Sequence, residues 1–112
     1  MILSFVVREI TPKDISNLMG NRLKLELCFI LREKKLSLNE IVEAYEQKYG
    51  TKKYRETIFR ALQEMLKSEL IEKTYDQQRK KIQYHLLIRG LLIDFAREKI
   101  ESIEESNQLN ER

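Results

Sequence analysis

Cysteine, histidine, proline and glycine are all scarce in this sequence. Its 112 residues include one Cys, one His, one Pro and three Gly. The single cysteine, Cys28, excludes an intrachain disulfide in this sequence, and it lies in an apolar run where we expect a small core residue rather than a reactive thiol. Glycine and proline, which are typical of turns and linkers, are few, so we expect one compact domain without long disordered linkers.

The same scarcity excludes several kinds of catalytic and binding site. His85 and Cys28 have no further His or Cys with which to complete a zinc site or a nucleophile-base pair. The three glycines are isolated and form no phosphate-binding loop. Asp14 with Glu33-Lys34-Lys35 has the acid, acid-x-lysine composition of some nucleases, but such sets are common where 35% of the residues are charged. We therefore predict a protein that is not an enzyme and has no metal or cofactor.

Long hydrophobic runs are also missing. No stretch reaches the roughly 20 apolar residues that span a bilayer. Residues 1–7 are apolar but have no preceding basic segment and no small-residue cleavage site, so we expect no signal peptide. These features predict an intracellular protein without a membrane partner.

Positive charge is concentrated in the middle of the sequence. Residues 51–90 contain ten Lys or Arg against five acids, whereas residues 91–112 contain three against six. The first 50 residues are nearly balanced, with eight against seven, and the net charge is +3. A local cationic excess, more than the total charge, indicates a surface for a polyanion.

Capping residues predict two helices in the first half, the first of them in two pieces. Thr11-Pro12-Lys13-Asp14 has a capping threonine, a proline at the first helical position and an acid three residues after the cap. Gly20-Asn21 is expected to divide this helix, which continues to about Glu33. Ser37-Leu38-Asn39-Glu40 is a capping box for a second helix that ends at Gly50. Residues 36–38 are expected to add a short strand.

A third helix is predicted over residues 52–68, after a turn that contains Gly50. At about 100° per residue, its apolar face collects Tyr54, Ile58, Ala61, Leu62 and Met65, with Leu66 on the flank. The opposite face collects Lys52, Lys53, Glu56, Arg60, Gln63 and Lys67, with Phe59 at its edge. Long donors beside an apolar group suit the reading of base edges in a DNA groove, although a polar helix face can also be merely solvated.

Two short runs rich in β-forming residues follow this helix. Leu70 to Tyr75 and Ile82 to Leu87 predict strands, and apolar and polar residues alternate from Ile82 onward, which predicts one buried face. The segment Asp76 to Lys81 is too polar for a core and too short for a helix, so it predicts a hairpin connection. Three consecutive cations at its end repel one another, which favours a polyanionic partner over a purely solubilising role.

Residues 57–90 resemble the recognition helix and wing of winged-helix transcription regulators, most nearly the PadR and MarR groups. Thr57-Ile58-Phe59-Arg60-Ala61-Leu62 matches their Thr-Leu-Tyr-Arg-Ala-Leu helix start, and Leu70-Ile71 matches part of their Gly-Leu-Ile strand entry. Arg79-Lys80-Lys81 with Tyr84, Leu86 and Gly90 matches their Arg-rich wing and Tyr-x-Leu-x-x-x-Gly. Glu69 replaces the usual glycine, so the turn after the helix is expected to differ. The resemblance covers roughly a third of the chain. In size and character the chain also resembles small winged-helix proteins encoded by viruses of hyperthermophilic archaea.

The predicted fold class is α+β, mainly helical: a winged helix-turn-helix with three core helices, a β-hairpin wing and an extra C-terminal helix. The predicted function is sequence-specific double-stranded DNA binding in transcription regulation, with helix 52–68 in the major groove and residues 76–81 on the backbone or in the minor groove. The alternative is a winged-helix module that binds protein without reading DNA. The predicted DNA-binding residues are Lys52, Lys53, Glu56, Thr57, Phe59, Arg60, Gln63, Lys67, Arg79, Lys80 and Lys81.

The predicted organisation has four parts: an N-terminal apolar arm (1–10), the winged helix-turn-helix domain (11–90), a C-terminal helix (91–105) and a polar tail (106–112). Apolar residues recur at helical spacing over about four turns after Gly90. This helix is expected either to fold back on the first helix or to form a homodimer. The predicted dimer residues are Leu92, Phe95, Ala96, Ile100 and Ile103. The arm is a second candidate for a dimer contact, or for a strand.

Overall fold

The computed structural model describes residues 5–105, which form an α+β domain with four helices and two small antiparallel sheets. The helices are α1 (Pro12–Met19), α2 (Arg22–Ile30), α3 (Leu38–Tyr49) and α4 (Arg55–Lys67). The strands are β1 (Phe5–Glu9), β2 (Leu36–Ser37), β3 (Ile71–Asp76), β4 (Lys81–Leu86), β5 (Gly90–Asp94) and β6 (Lys99–Glu105). The predicted polar tail and residues 1–4 of the predicted arm lie outside the described residues.

The divided first helix is confirmed by the hydrogen bonds at its two starts. Thr11 Oγ1 accepts the backbone N–H of Asp14 at 3.2 Å, and Pro12 is the first residue of α1. Asn21 Oδ1 accepts the backbone N–H of Lys24 at 3.2 Å and caps α2. Each cap supplies an acceptor to a first-turn N–H group that has no partner inside its helix.

The start and end of α3 are also as predicted. Ser37 Oγ accepts the Glu40 N–H at 3.3 Å, and Glu40 Oε1 accepts the Ser37 N–H at 2.9 Å, which completes the capping box. Gly50 follows the helix with a φ of 68°, a left-handed conformation that costs glycine little because it has no Cβ.

One face of α4 lies at the centre of the core. Ile58, Leu62 and Met65 are almost completely buried, as predicted. The prediction for Tyr54 was wrong: its side chain is 83% exposed. Since α4 begins at Arg55, Tyr54 has an extended backbone and lies before the helical stripe.

The core is formed by residues of the four helices and of the first sheet, which consists of β2, β3 and β4. None of the described helices is long and apolar enough to cross a membrane. The apolar residues that are at most 2% exposed are Leu18, Leu27, Leu31, Ile41, Ile58, Leu62, Met65 and Ile71.

The first sheet has the order β2-β4-β3 and contains the predicted hairpin. The register of β3 with β4 runs from Ile71 opposite Leu86 to Asp76 opposite Lys81, and Leu36 of β2 lies opposite Tyr84. Tyr84 is buried, but Ile82 is exposed, so the predicted buried face does not extend along the whole strand. Ile82 lies opposite Tyr75 where the hairpin projects past the core.

The second sheet replaces the predicted C-terminal helix, which was wrong. Its order is β1-β6-β5, with Val7 opposite Ile103 and Ile93 opposite Ile100. Asp94 Oδ1 accepts the Arg97 N–H at 3.2 Å in the turn of residues 95–98 between β5 and β6. The spacing of apolar residues fits a helix as well as a hairpin, and pairing with β1, more than 90 residues earlier, decides between them. The predicted arm therefore provides the strand β1.

Arg8 joins the second sheet to the end of α4. Its guanidinium donates to Glu69 Oε1 and to the Glu69 carbonyl, both at 3.2 Å, and to Glu104 Oε2 at 2.9 Å. Glu69 has a φ of 59°. At this turn Glu69 therefore adopts the left-handed conformation that glycine favours.

Candidate functional site

The outer face of α4 presents five of the eleven predicted residues. Glu56, Thr57, Phe59, Arg60 and Lys67 are all exposed, and Phe59 is 41% exposed. In this part of the helix the division between a buried and an exposed face follows the sequence pattern.

Gln63 is placed less favourably than predicted. It is half-buried, and its Oε1 is enclosed without a hydrogen-bond partner among the described residues. Its amide would therefore have to rotate outward before it could contact an external molecule with that oxygen. Arg60, one turn earlier on this face, is a long donor that already lies in solvent.

Lys52 and Lys53 lie before α4 and not on it, which corrects the predicted helix start. Gly50 ends α3, and Tyr54 is the N-cap of α4 without a side-chain capping bond. The loop that carries the two lysines therefore leads directly to the N-terminal end of α4. The positive end of the helix dipole and the two lysines both favour negative charge at this end of α4.

The tip of the β3–β4 hairpin is ordered by Asp76. Its Oδ1 accepts the N–H groups of Gln78 at 2.9 Å and Arg79 at 3.2 Å, while its carbonyl accepts the Lys80 N–H at 2.7 Å. Lys80 has a φ of 59° and is exposed. The hairpin tip is therefore a defined turn that holds a lysine in solvent, and Lys80 makes no ion pair with any residue that the structure describes.

Glu40, at the start of α3, lies beside the other two hairpin cations. Its Oε2 is 3.3 Å from Lys81 Nζ and 3.9 Å from Arg79 Nη1. The pKa of Glu40 is lowered first by the hydrogen bond from the Ser37 backbone N–H and further by Lys81. The hairpin cations are thus partly compensated within the protein, which weakens the sequence argument that their repulsion requires an external anion.

Arg55 belongs to the same cluster and was missed by the sequence analysis. Its Nε donates to Asn39 Oδ1 at 2.9 Å, and Asn39 precedes Glu40 in the first turn of α3. The start of α3 thus contacts both the first residue of α4 and the hairpin. No periodicity signals this contact, because residues 39 and 55 belong to different helices. We name Arg55, Arg79, Lys80 and Lys81 the basic cluster.

Lys67 lies at the opposite end of α4 from Arg55. A rise of 1.5 Å per residue separates the two backbone positions by about 18 Å. The predicted residues therefore divide into those near the basic cluster, those along the exposed face of α4, and Lys67 at its far end.

Two polar pairs, of which only Tyr45–Glu26 is buried on both sides, link the helices that carry the site. Lys24 Nζ on α2 is 2.6 Å from Glu64 Oε1 on α4, and this hydrogen bond is the main cause of the lowered pKa of Glu64. Tyr45 on α3 donates to Glu26 Oε1 on α2 at 2.6 Å. Burial, with the Glu26 hydrogen bond second, raises the pKa of Tyr45 to about 12. These pairs fix α2 against α3 and α4.

Cys28 and His85 are the two side chains that the sequence analysis considered for zinc binding or nucleophilic catalysis. Burial raises the pKa of the Cys28 thiol to about 11, so it is protonated at neutral pH and fits the predicted packing role. His85 Nδ1 lies 3.5 Å from Glu72 Oε1 across the first sheet. Among residues 5–105, no three His, Cys, Asp or Glu side chains are grouped so that they could hold a metal ion.

Comparison of the chain with protein-family models, with curated proteins and with solved structures finds no match in any of the three.

Proposed function

We propose that this protein binds double-stranded DNA in a sequence-specific manner and acts inside the cell in transcription regulation, without catalytic activity. In this proposal α3 and α4 form a helix-turn-helix, and the β3–β4 hairpin is the wing of a winged helix. The observation that carries the proposal is the convergence of Arg55, from α4, and of Arg79 and Lys81, from the hairpin, on the first turn of α3.

The exposed face of α4 is suited to reading bases. Arg60 can donate two hydrogen bonds to a guanine edge, and Phe59 offers an apolar contact for a thymine methyl group. Lys52 and Lys53, in the loop before the helix, would neutralise phosphates at the groove edge. Placing the N-terminal half of α4 in the major groove brings these residues and Arg55 to the DNA together.

The wing would contact the backbone or the minor groove. Lys80 has no competing acid among the described residues, whereas Arg79 and Lys81 must exchange Glu40 for a phosphate. The order that Asp76 gives to the tip reduces the entropy that binding would otherwise cost.

A second candidate function, a winged-helix module that binds protein, has one observation in its favour. Besides Phe59, the exposed apolar side chains include Tyr54, Tyr75 and Ile82, and Tyr75 lies opposite Ile82 on the hairpin. Exposed aromatic residues are common at protein interfaces. Gel-shift measurement on random duplexes, followed by selection of bound sequences, separates the two functions: absence of a shift at low salt would favour the protein-binding module.

The first expected result concerns salt. If Lys80 neutralises one phosphate, replacing it with glycine should reduce the slope of log affinity against log salt concentration by about 0.9. Glycine is chosen because it removes the charge and also accepts the positive φ of this position. The measurement is a fluorescence-anisotropy titration of duplex DNA at several salt concentrations.

Lys13→Ala is the matched control for this experiment, because it removes one exposed lysine from α1, away from the basic cluster. Its slope should equal that of the unmodified protein. Equal slopes for the Lys80 variant and the unmodified protein would mean that the wing tip does not contact DNA phosphates.

The second expected result concerns Glu40. Glutamine can keep the capping-box bond to the Ser37 N–H but carries no charge. Two unit charges about 4 Å apart interact by about 1 kcal/mol in water, so Glu40→Gln should raise the affinity for duplex DNA about five-fold at low salt. The gain should shrink as salt increases, because exposed charges are screened. Unchanged affinity at every salt concentration would mean that no phosphate approaches Arg79 or Lys81.

A further inference from the structure

Strand β5 is an edge strand with an apolar centre. It is paired with β6 on one side only, and the described residues place no strand on its other side. Leu92 and Ile93 are 49% and 41% exposed, and Phe95, in the turn that follows, is 87% exposed. Successive residues of a strand point to opposite faces, so β5 exposes apolar groups on both faces of the sheet.

The other edges of the two sheets are better protected. β1 carries Arg8 and Glu9, and β3 carries the neighbouring charges Glu72 and Lys73. β2 has only two residues. In many proteins, charged residues, proline or short strands at an exposed sheet edge prevent pairing with another chain. In β5, with the sequence Gly-Leu-Leu-Ile-Asp, the aspartate at its end is the one such residue.

We propose that a second copy of this chain pairs with β5, antiparallel and about a two-fold axis, so that the two second sheets become one six-stranded sheet. The occupant follows from the self-complementarity of the strand. With Leu92 opposite Leu92 of the second copy, Ile93 lies opposite Leu91 and Asp94 lies opposite Gly90. Every apolar residue of the strand then meets an apolar residue, and the aspartate meets a residue without a side chain.

Neighbouring registers are less favourable. Centring the pair on Ile93 places Asp94 opposite Leu92, so a carboxylate loses water against an apolar side chain. Centring it on Leu91 leaves Asp94 opposite Ile88, which is already buried in the core. The Leu92-centred register is therefore the one that the side chains specify, in the way that side-chain pattern sets register in other sheets.

The proposed dimer contact differs in kind from the helix surface that the sequence predicted. Leu92, Phe95 and Ala96 are exposed, but Ile100 and Ile103 are half-buried on β6, the central strand. The seam is thus a strand edge and not a helix stripe. Five residues make a small interface, so we expect a dissociation constant on the order of 10 µM in the absence of DNA.

The test is sedimentation equilibrium of the full chain without DNA. The unmodified protein should pass from monomer to dimer across the range of about 1–100 µM. Leu92→Lys should remain monomeric over this range, because a lysine on the edge opposes pairing. Met19→Lys is the matched control, since Met19, on α1, is also 49% exposed and should leave the dimer unchanged.

Amide hydrogen exchange on the unmodified protein gives a second readout that does not depend on a variant. Amides of residues 90–94 should exchange more slowly at high than at low protein concentration, while those of β1 should not change. A monomer at all concentrations, equal dimerisation of Leu92→Lys and the unmodified protein, or concentration-independent exchange in β5 would each overturn the proposal. Because DNA is left out, failure here is distinguishable from failure of the proposed function, which the Lys80 and Glu40 variants test on duplex DNA.

Discussion

Replacing Arg60 with alanine is expected to cost about 1–3 kcal/mol of binding free energy on the best DNA sequence and little on random duplex. Arg60 is the long donor that lies in solvent in the middle of the exposed face of α4, whereas Gln63 is half-buried. A base contact contributes only where the right base is present, so the loss should be confined to the selected sequence. The measurement is the affinity of the variant for the selected and the random duplex at one salt concentration.

Lys13→Ala is the control for this variant. It also removes one exposed cation from a helix, but from α1, away from the basic cluster. Its effect should be small on both duplexes. If Arg60→Ala weakened the two duplexes equally, Arg60 would be a phosphate contact, and the reading of sequence would have to be assigned to other residues.

Replacing Leu62 with alanine is expected to lower the free energy of unfolding by about 2–5 kcal/mol. Leu62 has no exposed surface and lies in the core between α4 and its neighbours. Truncation removes buried apolar contacts and leaves a cavity that the surrounding side chains fill only in part. Since domains of this kind are stable by only about 5–15 kcal/mol, urea denaturation should show a much lower midpoint.

Phe59→Ala, on the exposed face of the same helix, is the internal comparison. Its midpoint should stay close to that of the unmodified protein, while its affinity for the selected DNA should fall. The opposite pattern, with Phe59→Ala unfolding early and Leu62→Ala unaffected, would mean that the buried face of α4 has been assigned incorrectly.

The parts of the fold that could be predicted from the sequence are those with local causes. The start of α1 follows from Thr11, Pro12 and Asp14, and the start of α3 follows from the Ser37–Glu40 capping box. The hairpin follows from a polar segment between two β-forming runs. In each case the residues that determine the structure lie within a few positions of one another, so a single stretch of sequence contains the information.

The larger errors concern contacts between distant segments, whereas the start of α4, and with it Tyr54, was misplaced locally. The second sheet depends on pairing between β1 and β6, and the apolar spacing of residues 91–103 fits a helix equally well. Likewise, the Arg55–Asn39 contact and the position of Glu40 beside Arg79 and Lys81 depend on how α3, α4 and the hairpin pack. Charge counts identified a cationic region but not the carboxylate that offsets part of it.

The central position of β6 in the second sheet determines the order in which the two sheets of this protein can form during synthesis. β6 is the last described strand to be synthesised, yet both β1 and β5 pair with it. The helices and the first sheet close through shorter separations and can form earlier, because the entropic cost of closing a loop grows with its length. During synthesis β1 therefore has no partner strand until β6 has been made. The strand β5 likewise has no partner strand among the described residues until β6 has been synthesised.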